Sequence, residues 1–182
     1  MALRGCGAEA STVRTPAELD AVDALVLPGG ESTTMSRLLQ VFDLEIPLRE
    51  RLAAGMPTLA TCAGLILMSR EVLDGRPDQI ALGVLDVSVR RNGYGRQVDS
   101  FEADLPVSLL GVAPFHAVFI RAPLIEHTGS DAEVIATFGS NPVAIAQGPH
   151  IGLCFHPEMT DDSRLHRVFV ERAAAALEMN AA

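Results

Sequence analysis

"MPTLATCAGLILMS", residues 56–69, decides the fold. The run Pro57–Thr61 reads as a short strand, and the longer apolar run from Ala63 to Leu73 reads as a helix by length and pattern. Between them stands one cysteine, Cys62, with the small residues Ala63 and Gly64 directly behind it. A strand that turns tightly into a helix is the repeating unit of an α/β sheet, so the neighbouring segments are expected to alternate in the same way.

They do so on the N-terminal side. "DALVLPGG" (residues 23–30) reads as a buried strand ending at Pro28-Gly29-Gly30, and "STTMSRLLQVF" (32–42) as a helix capped by Ser32 or Thr33. "EIPLRERLAAG" (45–55) reads as a second helix, with Pro47 in its first turn and Gly55 as its stop. The opening "MALRGCGAEA" has the look of a helix end stopped by Gly5 or Gly7. After the cysteine come consecutive β-like runs, "GVLDVSVRR", "HAVFIRAP", "EVIATF", "PVAIAQG" and "HIGLCF". A terminal helix follows, capped by Asp161 or Asp162, with Leu165, Val168, Phe169 and Ala173 on one face. The expected fold is α/β: a doubly wound, mostly parallel sheet with a small antiparallel annex, in a single domain over residues 1–182.

Composition narrows the function. The net charge of −9, with no block of like charges, argues against nucleic acid, whose phosphates demand clustered Lys and Arg. Three cysteines without a C-x-x-C pair point to a reduced, cytoplasmic protein. The apolar stretch near Cys62 runs about ten residues, short of a membrane span. No metal-ligand spacing and no phosphate-binding glycine loop is present.

A strand–turn–helix junction carrying a nucleophile needs small neighbours because the turn is strained, and Cys62 has them on its helix side. On the strand side Ala60 stands where glycine is usual. The start of the helix favours a thiolate there; the competing reading is a small buried hydrophobe. A catalytic thiol needs a base and the base an orienter. Of five histidines, His116, His127, His150, His156 and His166, only His156 stands in a rigid arrangement with an acid, "FHPEM". Pro157 holds His156 extended, which projects His156 and Glu158 to the same side. His166 reads as a surface residue of the terminal helix, His116 and His127 as loop or strand-edge residues, and His150 lies too early in its strand. Cys6 and Cys154 read as structural. Gly30, in the Gly-Gly turn, and Ala63 are placed to direct backbone N–H groups at a developing oxyanion; a plain βα turn is the alternative.

"LPGGESTTM", "TCAGLILM", "RRNGYGRQVDSFEADL", "VFIRAP" and "FHPEMT" occur in this order and together resemble the glutaminase subunit of pyridoxal 5'-phosphate synthase, within the class I glutamine amidotransferases. The resemblance implies that Cys62 attacks the glutamine side-chain amide, His156 moves the proton and Glu158 orients His156. It implies that Gly30, Glu31, Ser32, Arg91, Ile120 and Arg121 bind glutamine, that ammonia passes to a separate synthase subunit, and that the glutaminase itself needs no cofactor. It offers "GRQVDSFEAD" (95–104), with Arg96 and Asp99, as a candidate contact with that partner. Family members open with a strand and helix containing a segment like "GVLALQG", which is absent here; the resemblance places that strand near the centre of the sheet. Two other readings stay open at this point: the glutaminase of a different amidotransferase, and a truncated binding or regulatory module without turnover.

Overall fold

The computed structural model describes residues 2–91, 93 and 100–181. The "GRQVD" part of the expected partner contact, with Arg96 and Asp99, lies outside the described residues. The chain opens with two short helices, α1 (Ala2–Gly5) and α2 (Pro16–Asp20). The second carries a reciprocal capping box: Thr15 Oγ1 accepts from Glu18 N–H, and the Glu18 carboxylate accepts from Thr15 N–H. The sequence reading passed over this helix although "TPAE" spells its start.

The central sheet has the order β1 (Leu25–Leu27), β2 (Thr58–Thr61), β10 (His150–Leu153), β9 (Asn141–Gln147), β8 (Glu133–Phe138). The first three strands are parallel, with Leu27 opposite Ala60 and Thr61 opposite Leu153. β9 and β8 add on antiparallel through tight turns at Gly148 and Gly139. All four residues of β2 and all four of β10 are buried, the continuous burial expected of strands covered on both faces. A three-stranded sheet, β3 (Ser69–Val72), β4 (Leu85–Arg90) and β7 (Leu124–Thr128), and a hairpin, β5 (Ser100–Leu105) and β6 (Phe115–Ile120), complete the β structure described. From β1 to β8 the central sheet is paired without a gap, and among the described residues its edge on the β1 side is the open position next to the parallel strands.

Two helices lie between β1 and β2: α3 (Ser32–Val41) and α4 (Glu45–Ala53). The N-cap of α3 is Glu31, one residue before the expected Ser32 or Thr33. Its carboxylate reaches the N–H groups of both Thr33 and Thr34, at 3.1 and 2.6 Å, and satisfies two orphan donors at once. α4 ends as expected, with Gly55 at φ +87°.

The helix after Cys62, α5 (Ala63–Met68), is shorter than the sequence suggests. Ser69 Oγ donates to Ile66 C=O and the chain leaves as β3, which pairs with β4. The helical pattern misled because α5 is buried on every face, leaving no polar stripe to mark where it stops. The terminal helix α6 (Arg164–Ala181) begins after Asp162, whose Oδ1 accepts from Arg164 N–H at 3.0 Å; Leu165 and Phe169 face the core. Among the described residues no helix is long and apolar enough to cross a membrane.

Two close contacts set where the helices sit. A methyl group on Gly64 would lie 2.0 Å from the Leu27 carbonyl oxygen, so only glycine lets α5 seat against the end of β1. Phe155, just before His156, packs against Phe115 and Phe119 at ring-centroid distances of 5.8 and 5.5 Å, fastening the end of β10 to the β5–β6 hairpin. Gly64→Ala is expected to lower stability by about 3 kcal/mol through overpacking. Denaturant unfolding checks this as a lowered midpoint at unchanged slope.

Candidate active site

β2 and β10 end side by side, and the residues that follow them form the site. Cys62 N–H donates to the Leu153 carbonyl at 2.8 Å, carrying the parallel ladder one residue past β2. Cys62 then adopts φ +49° and ψ −102°, a conformation L-residues rarely take. Its carbonyl accepts from Ile66 N–H at 3.2 Å, so the strained residue already belongs to the first turn of α5. This is the strained strand-to-helix turn expected from the sequence, with Cys62 buried to 7% exposure.

On the neighbouring strand, His156 N–H donates to the Val118 carbonyl of β6 at 2.9 Å. The His156 ring hydrogen-bonds Glu158 from Nδ1 to Oε1 at 2.8 Å, with Glu158 on the short 3-10 turn Pro157–Met159. With Nδ1 committed, Nε2 is the nitrogen left for Cys62. Hydrogen bonding to Cys62 first, and to Glu158 second, raises the His156 pKa to about 9 from the ordinary 6.5. Burial pushes the Glu158 carboxyl up, but its hydrogen bond to His156 and the neighbouring positive charge outweigh burial and leave it below its ordinary value.

The Gly-Gly turn packs on the same ring. A Cβ on Gly29 would fall 2.3 Å from His156 Cε1, so this glycine gives the imidazole its space. Gly30 follows, and Ala63 is the first residue of α5, a helix start whose N-cap, Cys62, provides no side-chain hydrogen bond. Ile120 also reaches the site: its carbonyl oxygen lies 3.9 Å from Cys62 Sγ. Arg121 comes next, exposed, with φ +44°. Arg91 arrives from the end of β4: its guanidinium donates to Thr33 Oγ1 at 3.0 Å and stands 3.6 Å from Glu31 Oε1, while its N–H donates to Asp74.

The expected glutamine-binding residues are thus gathered around the start of α3 and the end of β6, with two qualifications. The Glu31 carboxylate is already occupied as the cap of α3. Hydrogen bonding from Thr34 leads the interactions that depress its pKa to about 2. The Ser32 side chain is 4% exposed and its hydroxyl donates to Gln79 at 3.0 Å, so Ser32 has only its backbone to present to a ligand.

The other histidines and cysteines divide differently. Cys154 is fully buried, and burial pushes its thiol far up, in keeping with a structural role. His150 is the buried first residue of β10, at the opposite end of the strand from Cys62. His116 is exposed on β6 between Asp104 and Glu102, at 2.8 and 2.9 Å, and His127 is exposed on β7. His166 corrects the sequence reading: it is 5% exposed, and the charge of Glu158 acts on it. On α6 it directly follows Leu165 and lies at the flank of the face by which Leu165 and Phe169 dock the helix. Gln79 and Ser36, which hydrogen-bond across to Ser32, carried no sequence signal.

A thiol acting on an imidazole that is itself hydrogen-bonded to a carboxylate forms an arrangement suited to nucleophilic attack on an acyl carbon followed by general acid catalysis. Among the described residues no cluster of His, Cys, Asp and Glu has the form of a metal site.

The sequence profile of the SNO glutamine amidotransferase family matches residues 1–175. The chain is 56% identical to pyridoxal 5'-phosphate synthase subunit PdxT of Mycobacteroides abscessus, over 96% of this chain and 90% of that protein. It is also 56% identical to the protein of the same name from Frankia alni, over 93% and 85%. A solved glutamine amidotransferase superposes with a TM-score of 0.88 at 45% identity, covering 95% of this chain and 90% of that one. A putative GMP synthase component from Thermoplasma acidophilum shares the fold, with a TM-score of 0.69 at 19% identity, covering 100% of this chain and 89% of that one. With the profile spanning nearly its whole length, the chain belongs to the SNO glutamine amidotransferase family.

Proposed function

We propose that this chain is the glutaminase subunit of a pyridoxal 5'-phosphate synthase: it hydrolyses L-glutamine through a cysteine thioester and hands the ammonia to a synthase subunit. Residues 1–182 act as one glutaminase unit, in the cytoplasm, where the thiol stays reduced. The observation that carries the reading is the placement of Cys62 and His156 just past the ends of two adjacent parallel strands, with His156 hydrogen-bonded to Glu158 and the Cys62 sulfur acting on its ring. The relatives named above supply the synthase to which such a subunit belongs.

In this reading His156 accepts the proton of the Cys62 thiol. The thiolate attacks the amide carbon of the glutamine side chain, and the amide oxygen takes on negative charge. The backbone N–H groups of Gly30 and Ala63 receive that charge; such a donor is worth about 3–4 kcal/mol of transition-state stabilisation. As the intermediate collapses, the C–N bond breaks and His156 gives its proton to the departing nitrogen, releasing ammonia. A water then enters, His156 takes one of its protons, and the hydroxide cleaves the thioester to glutamate and thiolate. Glu158 holds the ring through Nδ1 and balances its charge throughout.

Glutamine is held by its α groups at the edge of the site. The Arg91 guanidinium meets the α-carboxylate, while the Ile120 carbonyl faces the α-ammonium; Glu31, its carboxylate committed to the cap of α3, contributes its charge from beside Arg91, with Arg121 and the Ser32 backbone closing the cradle.

In the complex with the synthase subunit, Cys62→Ala is expected to abolish glutamate release while leaving the two subunits associated. Release at the wild-type rate would refute the mechanism. A glutamine-analogue electrophile is expected to label Cys62 and spare Cys6 and Cys154, as read by peptide mass. The stability of the protein provides a further check. The His156 pKa is raised in the folded state, so its contribution is fully present below about pH 6.5 and is lost as pH rises through about 9. Unfolding free energy measured from pH 6 to 10 should fall across this window, and the fall should be much shallower in Cys62→Ala, where the leading cause of the shift is gone.

A further inference from the structure

Gln79 lies in the connection between β3 and β4 and closes a hydrogen-bond circuit on α3. Ser32 Oγ donates to Gln79 Oε1 at 3.0 Å, and Gln79 Nε2 donates to Ser36 Oγ at 2.9 Å and to the Ile80 carbonyl at 3.0 Å. Ser36 Oγ also accepts from Ile80 N–H at 3.0 Å and gives its own proton to the Ser32 carbonyl at 2.9 Å. Every donor and acceptor sense in this circuit is fixed. Ser36 has one proton, spent on Ser32, so both its lone pairs face donors. Reversing the Gln79 amide would set Oε1 against the Ile80 carbonyl. Ser36 is fully buried and Ser32 nearly so, which makes each of these bonds costly to lose.

The segment bearing Gln79 is tied to other parts of the site's frame. The N–H groups of Leu82, Gly83 and Val84 donate to the carbonyls of Leu67, Ser69 and Met68, at 2.7, 3.1 and 3.1 Å, fastening it to the end of α5. Arg49 on α4 donates to the carbonyls of Leu82 and Ala81. One end of the circuit is therefore fixed to the helix that starts at Cys62, and the other to the first turn of α3, directly after Gly30 and Glu31. Glu31 caps α3 from within and does not fix where the helix sits relative to Cys62.

We propose that Gln79 is a positioning residue for substrate: through Ser32 and Ser36 it sets the separation between the Gly30–Ser32 turn and the Cys62 sulfur, and so the presentation of the glutamine amide. This inference rests on the glutaminase reading above. Gln79 touches neither the thiol nor the imidazole, so its loss acts on recognition of glutamine and leaves the intrinsic reactivity of the thiol in place.

Two substitutions test it in the complex with the synthase subunit. Gln79→Met keeps the length and volume but makes none of the bonds; Gln79→Glu turns a carboxylate oxygen toward Ser36 Oγ and the Ile80 carbonyl. Each is expected to raise KM for L-glutamine about tenfold, the scale of one to two buried hydrogen bonds, with a much smaller change in kcat. Labelling of Cys62 by a chloroketone analogue of glutamine should slow in proportion, while alkylation by iodoacetamide, which needs no recognition, stays within about twofold of wild type. Unchanged KM in both variants overturns the proposal, and so does an equal slowing of both labelling reactions, which would mark a general loosening. If neither variant folds, Ser32→Ala, which removes only the donor to Oε1, is expected to raise KM severalfold, and no rise would overturn the proposal. Wild-type protein that ignores the chloroketone would sink the glutaminase reading and this inference together; a labelled wild type with indistinguishable variants sinks this inference alone.

Discussion

One hydrogen bond, from Cys62 N–H to the Leu153 carbonyl, fixes the rest of the site. It extends the parallel pairing of β2 and β10 past the last strand residue, and parallel register leaves no slack: with Thr61 opposite Leu153, Cys62 must enter its turn beside Cys154 and Phe155. His156 is the next residue along. Two groups more than ninety positions apart in the chain are thereby brought to one rim by backbone geometry alone, before any side chain has contributed. A one-residue slip would exchange the two faces of a strand, and because both faces of β2 and β10 are packed, every side chain would then meet the wrong neighbours.

That constraint explains how the strain at Cys62 is held. A non-glycine residue at φ +49° costs on the order of 1–3 kcal/mol and persists only where its surroundings over-determine it. Here the N–H is held by Leu153, the carbonyl by Ile66, and the helix behind by the close approach of Gly64 to Leu27. On the other strand, His156 is held by Val118 through its backbone, by the phenylalanine cluster through Phe155, and by Gly29 against its ring. The glycines at 29 and 64 do opposite jobs from those usually expected of a Gly-rich turn: neither has a left-handed φ, and each is there because a methyl group would collide with its neighbour.

The sequence was most legible where a local pattern and a tertiary need coincide. Cys62 between two apolar runs, and His156 two residues before Glu158 with Pro157 between, declare a turn and a paired side-chain direction from a few residues each. It was least legible where burial is uniform or the partner is distant. The end of α5 at Met68 left no mark because "AGLILM" is apolar on every face. The cap of α3 was misplaced by one residue because Glu31 reaches two N–H groups that a serine or threonine reading assigns to itself. Ser32, expected to meet substrate, instead gives its hydroxyl to Gln79, 47 positions away, a pairing no periodicity encodes. α2 is the exception that was readable and missed, since Thr15 and Glu18 form a capping box at the ordinary spacing.

Two histidines sense the same carboxylate, and their difference shows where the site's charge belongs. His156 and His166 both feel Glu158, and both are substantially buried. Burial alone disfavours an imidazolium, and for His166 it prevails: its pKa is lowered, and its Nδ1 lacks a hydrogen-bond partner among the described residues. His156 escapes that outcome because the Cys62 sulfur is its second partner, and the hydrogen bond to Cys62 is the largest single contribution to its raised pKa. At neutral pH one positive charge is therefore present near Glu158, and it lies on the ring that faces the sulfur. His166 feels the carboxylate only through space, whereas His156 has a direct hydrogen bond to Glu158 and the sulfur of Cys62 beside it, so the proton settles on the ring that serves the nucleophile.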